Sequence, residues 1–275
     1  MREKRQLYCS SLDRMVDLHI ILPESAGNPN RRCPVLYFYD GDRIWDDPKV
    51  PGPSALSGSF CFREYSRAFG AFLPPVILVG IAPPPDMLAR TAEYSPYTKR
   101  FEVPQGVRFA PLVEGRGKEL GAWVVSELKP FIDAQYPTLS DADCTAIGGL
   151  STSGVNALYM ISAYPDVFHR FLIHAPALHL WMDRVLETVR PAAYSHVRRG
   201  YFDIGTDDAT RMVQNGLAYE DLKTVIALMK QNGLSPDALR FFEIYRGTHE
   251  CASWALTFPD ALRWVFGDFA PGASV

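Results

Sequence analysis

Short apolar blocks alternate along this chain with longer stretches whose apolar residues recur every three or four positions. Met15–Leu22, Val35–Tyr39, Val76–Ile81, Thr145–Gly148, Phe171–His174, Tyr201–Ile204 and Phe241–Tyr245 read as strands. Several are apolar throughout, the pattern of strands buried on both faces. Between them, Leu120, Val124, Leu128, Phe131, Ile132 and Tyr136 fall at spacings of 4, 4, 3, 1 and 4. Leu222, Val225, Ile226 and Met229 follow at 3, 1 and 3, the period of a helix with one buried stripe. The alternation predicts an α/β fold, a mostly parallel central sheet with helices on both faces. Met15–Leu22 and Val35–Tyr39, joined by a short turn region, are expected to form an antiparallel hairpin at the sheet edge. Asp46–Ser59, Ile81–Pro85 and Ser95–Pro111 read as loops beyond strand ends, where α/β folds place their ligand sites. No linker or internal repeat interrupts the rhythm, so residues 1–275 are expected to form a single domain.

Composition narrows the class. A chain of 275 residues, 47% hydrophobic, has enough apolar surface for a large core. Its 28 basic and 31 acidic side chains give a net charge of −3, without the clustered basic surplus that nucleic acid demands. Five cysteines (Cys9, Cys33, Cys61, Cys144 and Cys251) are odd in number and never spaced C-x-x-C, which points away from a disulfide framework or a zinc knuckle. Met1–Gln6 is charged and leads into no signal-peptide core. No stretch approaches the roughly 18–20 apolar residues that span a bilayer. The expectation is a cytoplasmic protein with no nucleic-acid or membrane partner.

The sharpest chemical signal is Ile147-Gly148-Gly149-Leu150-Ser151-Thr152-Ser153-Gly154. It follows an apolar strand and opens a helical pattern, the setting of a nucleophile elbow. A serine on so sharp a turn needs very small residues two positions before and after it, because strand and helix backbones nearly touch. Gly149 meets the first requirement, whereas Ser153 stands where G-x-S-x-G has glycine. Ser153 is the competing hydroxyl, but only Ser151 has glycine at −2. Such a serine needs a base, and the base an orienting acid. His249 follows the last strand, and Asp207 and Asp208 follow the one before it. The order Ser…Asp…His is that of α/β-hydrolases. Of the other histidines, His174 reads as a hydrogen-bonded wall residue at a strand end, His19 as a strand residue, and His169, His179 and His196 as helix or loop surface positions.

With these residues in view, the chain resembles the putative-esterase family of α/β-hydrolases. That family includes enterochelin (siderophore) esterases, esterase D/S-formylglutathione hydrolases and mycolyltransferases. The likeness runs from Pro34 to Phe266 and is carried by several segments. Among them are Pro34-Val-Leu-Tyr-Phe-Tyr-Asp-Gly41, Arg90-Thr-Ala-Glu-Tyr-Ser-Pro96, Glu127-Leu-Lys-Pro-Phe-Ile-Asp133 and His249-Glu-Cys-Ala-Ser-Trp254. The resemblance implies an α/β-hydrolase fold without a large separate cap domain, Ser151 as nucleophile and His249 as base. The family pattern Gly-x-x-Asp falls on Gly205–Asp208 and favours Asp208 as the acid. The implied oxyanion donors are the backbone N–H groups of Thr152 and Asp42, with the Asp42 carboxylate pointing away. Two departures stand out: Ser153 in the elbow, and Gly58-Ser-Phe-Cys-Phe62.

The resulting expectation is a serine esterase that cleaves a small-molecule carboxylic ester, with siderophore and other natural-product esters or lactones as candidates. Trp45, Tyr94, Trp181 and Trp254 are candidate substrate-binding residues, and no cofactor or metal is required. An acyltransferase or cyclase using the same acyl-enzyme is the nearest rival. A non-catalytic binding protein on the same scaffold is the other. The oligomeric state is open.

Overall fold

In the computed structural model, which describes residues 2–27, 31–45, 58–101, 112–208 and 217–270, every apolar block of the sequence forms a strand. The strands are β1 (Arg2–Cys9), β2 (Arg14–Ile21), β3 (Val35–Tyr39), β4 (Ile77–Ile81), β5 (Lys99–Arg100), β6 (Leu112–Val113), β7 (Thr145–Leu150), β8 (Arg170–His174), β9 (Arg199–Gly205) and β10 (Leu239–Ile244). Eight make one sheet in the order β1-β2-β4-β3-β7-β8-β9-β10, and β5 pairs with β6 separately. From β4 to β10 all neighbours are parallel. β3, β4, β7 and β8 are buried at every position, as strands with helices over both faces must be.

The antiparallel edge exists, but its pairing differs from expectation. β2 pairs with β1 on one side and β4 on the other, both antiparallel, while β3 lies between β4 and β7. β3 is apolar on both faces and belongs inside the sheet. β1 reads Arg-Glu-Lys-Arg-Gln-Leu-Tyr-Cys, polar over its first five residues and buried only at Cys9, so hydrophobic patterning gives no sign of it. Its charges suit an edge that must not pair with another chain.

The helices are α1 (Phe62–Phe69), α2 (Met87–Tyr94), α3 (Gly117–Trp123), α4 (Lys129–Gln135), α5 (Ser151–Ala163), α6 (Leu178–Val189), α7 (Leu217–Gln231) and α8 (Cys251–Phe266). One wide turn, Val124–Leu128, joins α3 to α4 just before Pro130. Proline has no N–H for an intrahelical bond, and widening the preceding turn accommodates that loss. The predicted stripe Leu120, Val124, Leu128 and Ile132 is buried along this segment. Of the expected loops, residues 46–57 and 102–111 lie outside the described residues. Among the described residues no helix is long and apolar enough to cross a membrane.

Candidate active site

The site begins at the junction of β7 and α5. Ser151 is the first residue of α5 and has φ 55°, a left-handed conformation seldom taken by a residue other than glycine. A Cβ added at Gly149 would lie 2.6 Å from the carbonyl oxygen of Ser153, so the −2 position admits only glycine. Ser153 is fully buried and its hydroxyl is engaged inside the fold. It accepts the Leu150 N–H at 2.9 Å and shares its proton between Leu150 O at 2.7 Å and Asp40 Oδ2 at 2.6 Å. The extra hydroxymethyl group that departs from G-x-S-x-G is thus a tie between the elbow and the end of β3. Asp40 is also clamped by Arg90, Nε at 2.6 Å and Nη2 at 2.5 Å, in a buried ion pair.

His249 reaches the elbow from the loop after β10. Its Nε2 lies 2.8 Å from Ser151 Oγ, and its Nδ1 lies 2.9 and 3.1 Å from the two carboxylate oxygens of Asp208. Asp208 and His249 side chains are only 3% and 10% exposed. Asp207 faces solvent, and its backbone N–H donates to Gly247 O at 3.0 Å. That bond is one of several joining the two loops. The Thr206 N–H donates to Ile244 O at 3.0 Å, and the Arg246 N–H donates to Thr206 Oγ1 at 2.7 Å. The loops approach so closely that a Cβ on Gly205 would lie 2.0 Å from Gly247 O. Trp254, in the first turn of α8, meets the His249 ring edge to face at 5.1 Å.

The other expected residues fall in several places. Thr152 is buried in the first turn of α5. Asp42 stands in the short turn Gly41–Arg43 directly after β3 and Asp40. Burial, and then the charge of Asp40, push the Asp42 carboxyl up to about 6. Its Oδ1 is buried without a hydrogen-bond partner among the described residues. Tyr94 is 1% exposed, and its hydroxyl is used by the main chain, accepting the Asp40 N–H at 3.1 Å and donating to Ile81 O at 3.2 Å. Tyr94 therefore supports the turn after β3 and is not a substrate wall. Trp181 and Trp254 have no exposed surface, Trp181 packing on Tyr97 and Phe101 and Trp254 on His249. Trp45 is half-buried against Phe62. His174 is a core residue and not a wall: its Nδ1 lies 2.7 Å from Asp203 Oδ2, and neither side chain is exposed.

His179, expected on a helix or loop surface, lies instead beside His249 and Asp208. It is half-buried near the start of α6, whose preceding Ala177 N–H donates to Ser151 O at 3.0 Å. Burial and the neighbouring His249 hold its imidazole down at about 4, with Asp208 opposing, so it is uncharged at neutral pH. One signal was available: it lies just past Ala175-Pro176-Ala177 at the carboxyl end of β8, where α/β sites gather. Among the described residues no group of three or more His, Cys, Asp or Glu is arranged to hold a metal ion.

The sequence matches the family described as "Putative esterase" over residues 9–265. No curated protein matches it. An IroE-like serine hydrolase from Shewanella oneidensis superposes with a TM-score of 0.72 at 20% identity, covering 98% of this chain and 82% of that one. The ferric enterobactin esterase Fes of Salmonella typhimurium gives 0.72 at 15% identity, covering 98% of this chain but only 59% of its own length. The BES protein from Bacillus cereus gives 0.68 at 18%, covering 96% of each. At these identities the structural likeness speaks for a shared fold.

Proposed function

The chain belongs to the Putative esterase family, and from that premise we propose that it is a serine esterase working through an acyl-enzyme on Ser151. One observation carries the reading: an unbroken hydrogen-bonded line from Ser151 Oγ through both nitrogens of His249 to Asp208, at 2.8 and 2.9 Å. Serine at its ordinary acidity is a weak nucleophile and needs a base within hydrogen-bond reach. His249 Nε2 takes the hydroxyl proton as Ser151 Oγ attacks the ester carbonyl. Asp208 holds the proton on Nδ1 and stabilises the imidazolium that forms. The tetrahedral oxyanion is received by the backbone N–H groups of Thr152 and Asp42, the former at the start of α5, where the helix dipole favours negative charge. His249 returns its proton to the departing alcohol. It then deprotonates water, which attacks the acyl-enzyme, releases the acid and restores Ser151.

The substrate belongs, on this proposal, to the small natural-product esters and lactones. Support comes from the enterobactin esterases among the structural relatives. A cytoplasmic location and a single catalytic domain are part of the same proposal.

Intact-protein mass after treatment with a small fluorophosphonate tests the nucleophile. One adduct is expected on the wild type and on Ser153→Ala, and none on Ser151→Ala. An adduct lost only in Ser153→Ala would make Ser153 the nucleophile and overturn the assignment of Ser151. No adduct on folded wild type would remove the esterase reading.

A further inference from the structure

A cavity of about 480 Å³ lies apart from the triad, within the range of about 300–1,000 Å³ usual for small-molecule sites. Its floor is at the other end of the sheet from Ser151. Leu78 stands near the amino end of β4, facing its antiparallel partner Ile21, whereas Ser151, Asp208 and His249 all follow the carboxyl ends of their strands. Trp45 and Phe62 form one wall, their rings 6.5 Å apart. Among the described residues, none of the triad or of its loops lines this space.

The rim has a charge pattern. Among the described residues, Arg31, Arg63 and Arg67 line the cavity against one acid, Glu24. Arg63 lies 3.5 Å from Glu64, but neither Arg31 nor Arg67 is ion-paired with a described residue, and both are exposed. An apolar floor under a cationic rim suits a molecule with a hydrocarbon body and one anionic end. The guanidinium fork matches a carboxylate in shape, and Glu24 on the same rim repels a second negative charge. We propose that this cavity is a second, non-catalytic binding site for an elongated apolar monocarboxylate.

This site does not depend on the reactivity of Ser151, so Ser151→Ala protein is suitable material and the outcome is separate from that of the esterase reading. Calorimetric titration with octanoate and with octanol tests it. Octanoate binds one per chain in a saturable manner. Arg31→Ser/Arg67→Ser weakens octanoate about tenfold and leaves octanol unchanged, because only the charged end has lost its partners. Ala71→Trp, at an exposed position on the lip, blocks both ligands without touching the core. Absence of saturable octanoate binding overturns the proposal. So does octanoate binding that neither variant disturbs.

Discussion

Two neighbouring aspartates show how finely residue position divides roles here. Asp208 presents both carboxylate oxygens to His249 Nδ1, while the exposed Asp207 donates its backbone N–H to Gly247 O and accepts the Thr206 hydroxyl on its carboxylate. In Asp208→Asn the amide favours the wrong imidazole tautomer, and kcat on a p-nitrophenyl ester is expected to fall on the order of 10⁴-fold. Asp207→Asn changes it by no more than about twofold, as a surface substitution should. Asp42 makes a different prediction. Its carboxyl titrates at about 6 in the fold, against an ordinary value near 4, so the folded chain holds this proton more tightly than the unfolded chain. The cost of burying the ionised form is absent below about pH 4 and complete above about pH 6. Asp42→Asn is therefore expected to raise Tm at pH 8 and to change it little at pH 4. Calorimetry at both values checks this, and an equal shift at the two would contradict it.

At the scale of elements, Asp208 and His249 meet through contact between two loops that follow adjacent parallel strands. β9 and β10 lie side by side, and the close approach of Gly205 to Gly247 brings the loop of Asp208 against the loop of His249. Gly205→Ala would put a methyl group 2.0 Å from Gly247 O and force the loops apart. A misplacement near 1 Å in such a site costs about 10²-fold. Loss of that size in kcat/KM, with the far-UV circular dichroism spectrum unchanged, is the expected outcome. The elbow, by contrast, is a local device. Its steric demand acts between Gly149 and Ser153, four residues apart, which is why it can be read directly from the chain. His179 is legible only from its place just past the carboxyl end of β8, since its position in the helical pattern says nothing about what the helix packs against.

For the whole molecule, the buried Asp40–Arg90 pair ties the end of β3 to α2, and through Ser153 to α5. Arg90→Met leaves the Asp40 carboxylate buried without its cation, and urea denaturation is expected to show a loss of about 3–5 kcal/mol. Adding Asp40→Asn removes the stranded charge and recovers part of that loss. This network also marks the boundary between what sequence and tertiary structure each decide. Seven strands were legible because an apolar block bounded by loops has few places to go other than a buried sheet. The elbow and the order Ser151, Asp208, His249 were legible because they depend on neighbours in the chain and on which strand each residue follows. Tertiary structure alone decided that the polar β1, and not β3, pairs with β2, and that Ser153 and Tyr94 serve the fold. A polar edge strand such as β1 carries no apolar block to betray it, although its pairing with β2 is local. Ser153 and Tyr94 turn on contacts with Asp40, far along the chain, and hydrophobic periodicity specifies which face of an element is buried without specifying what lies against it.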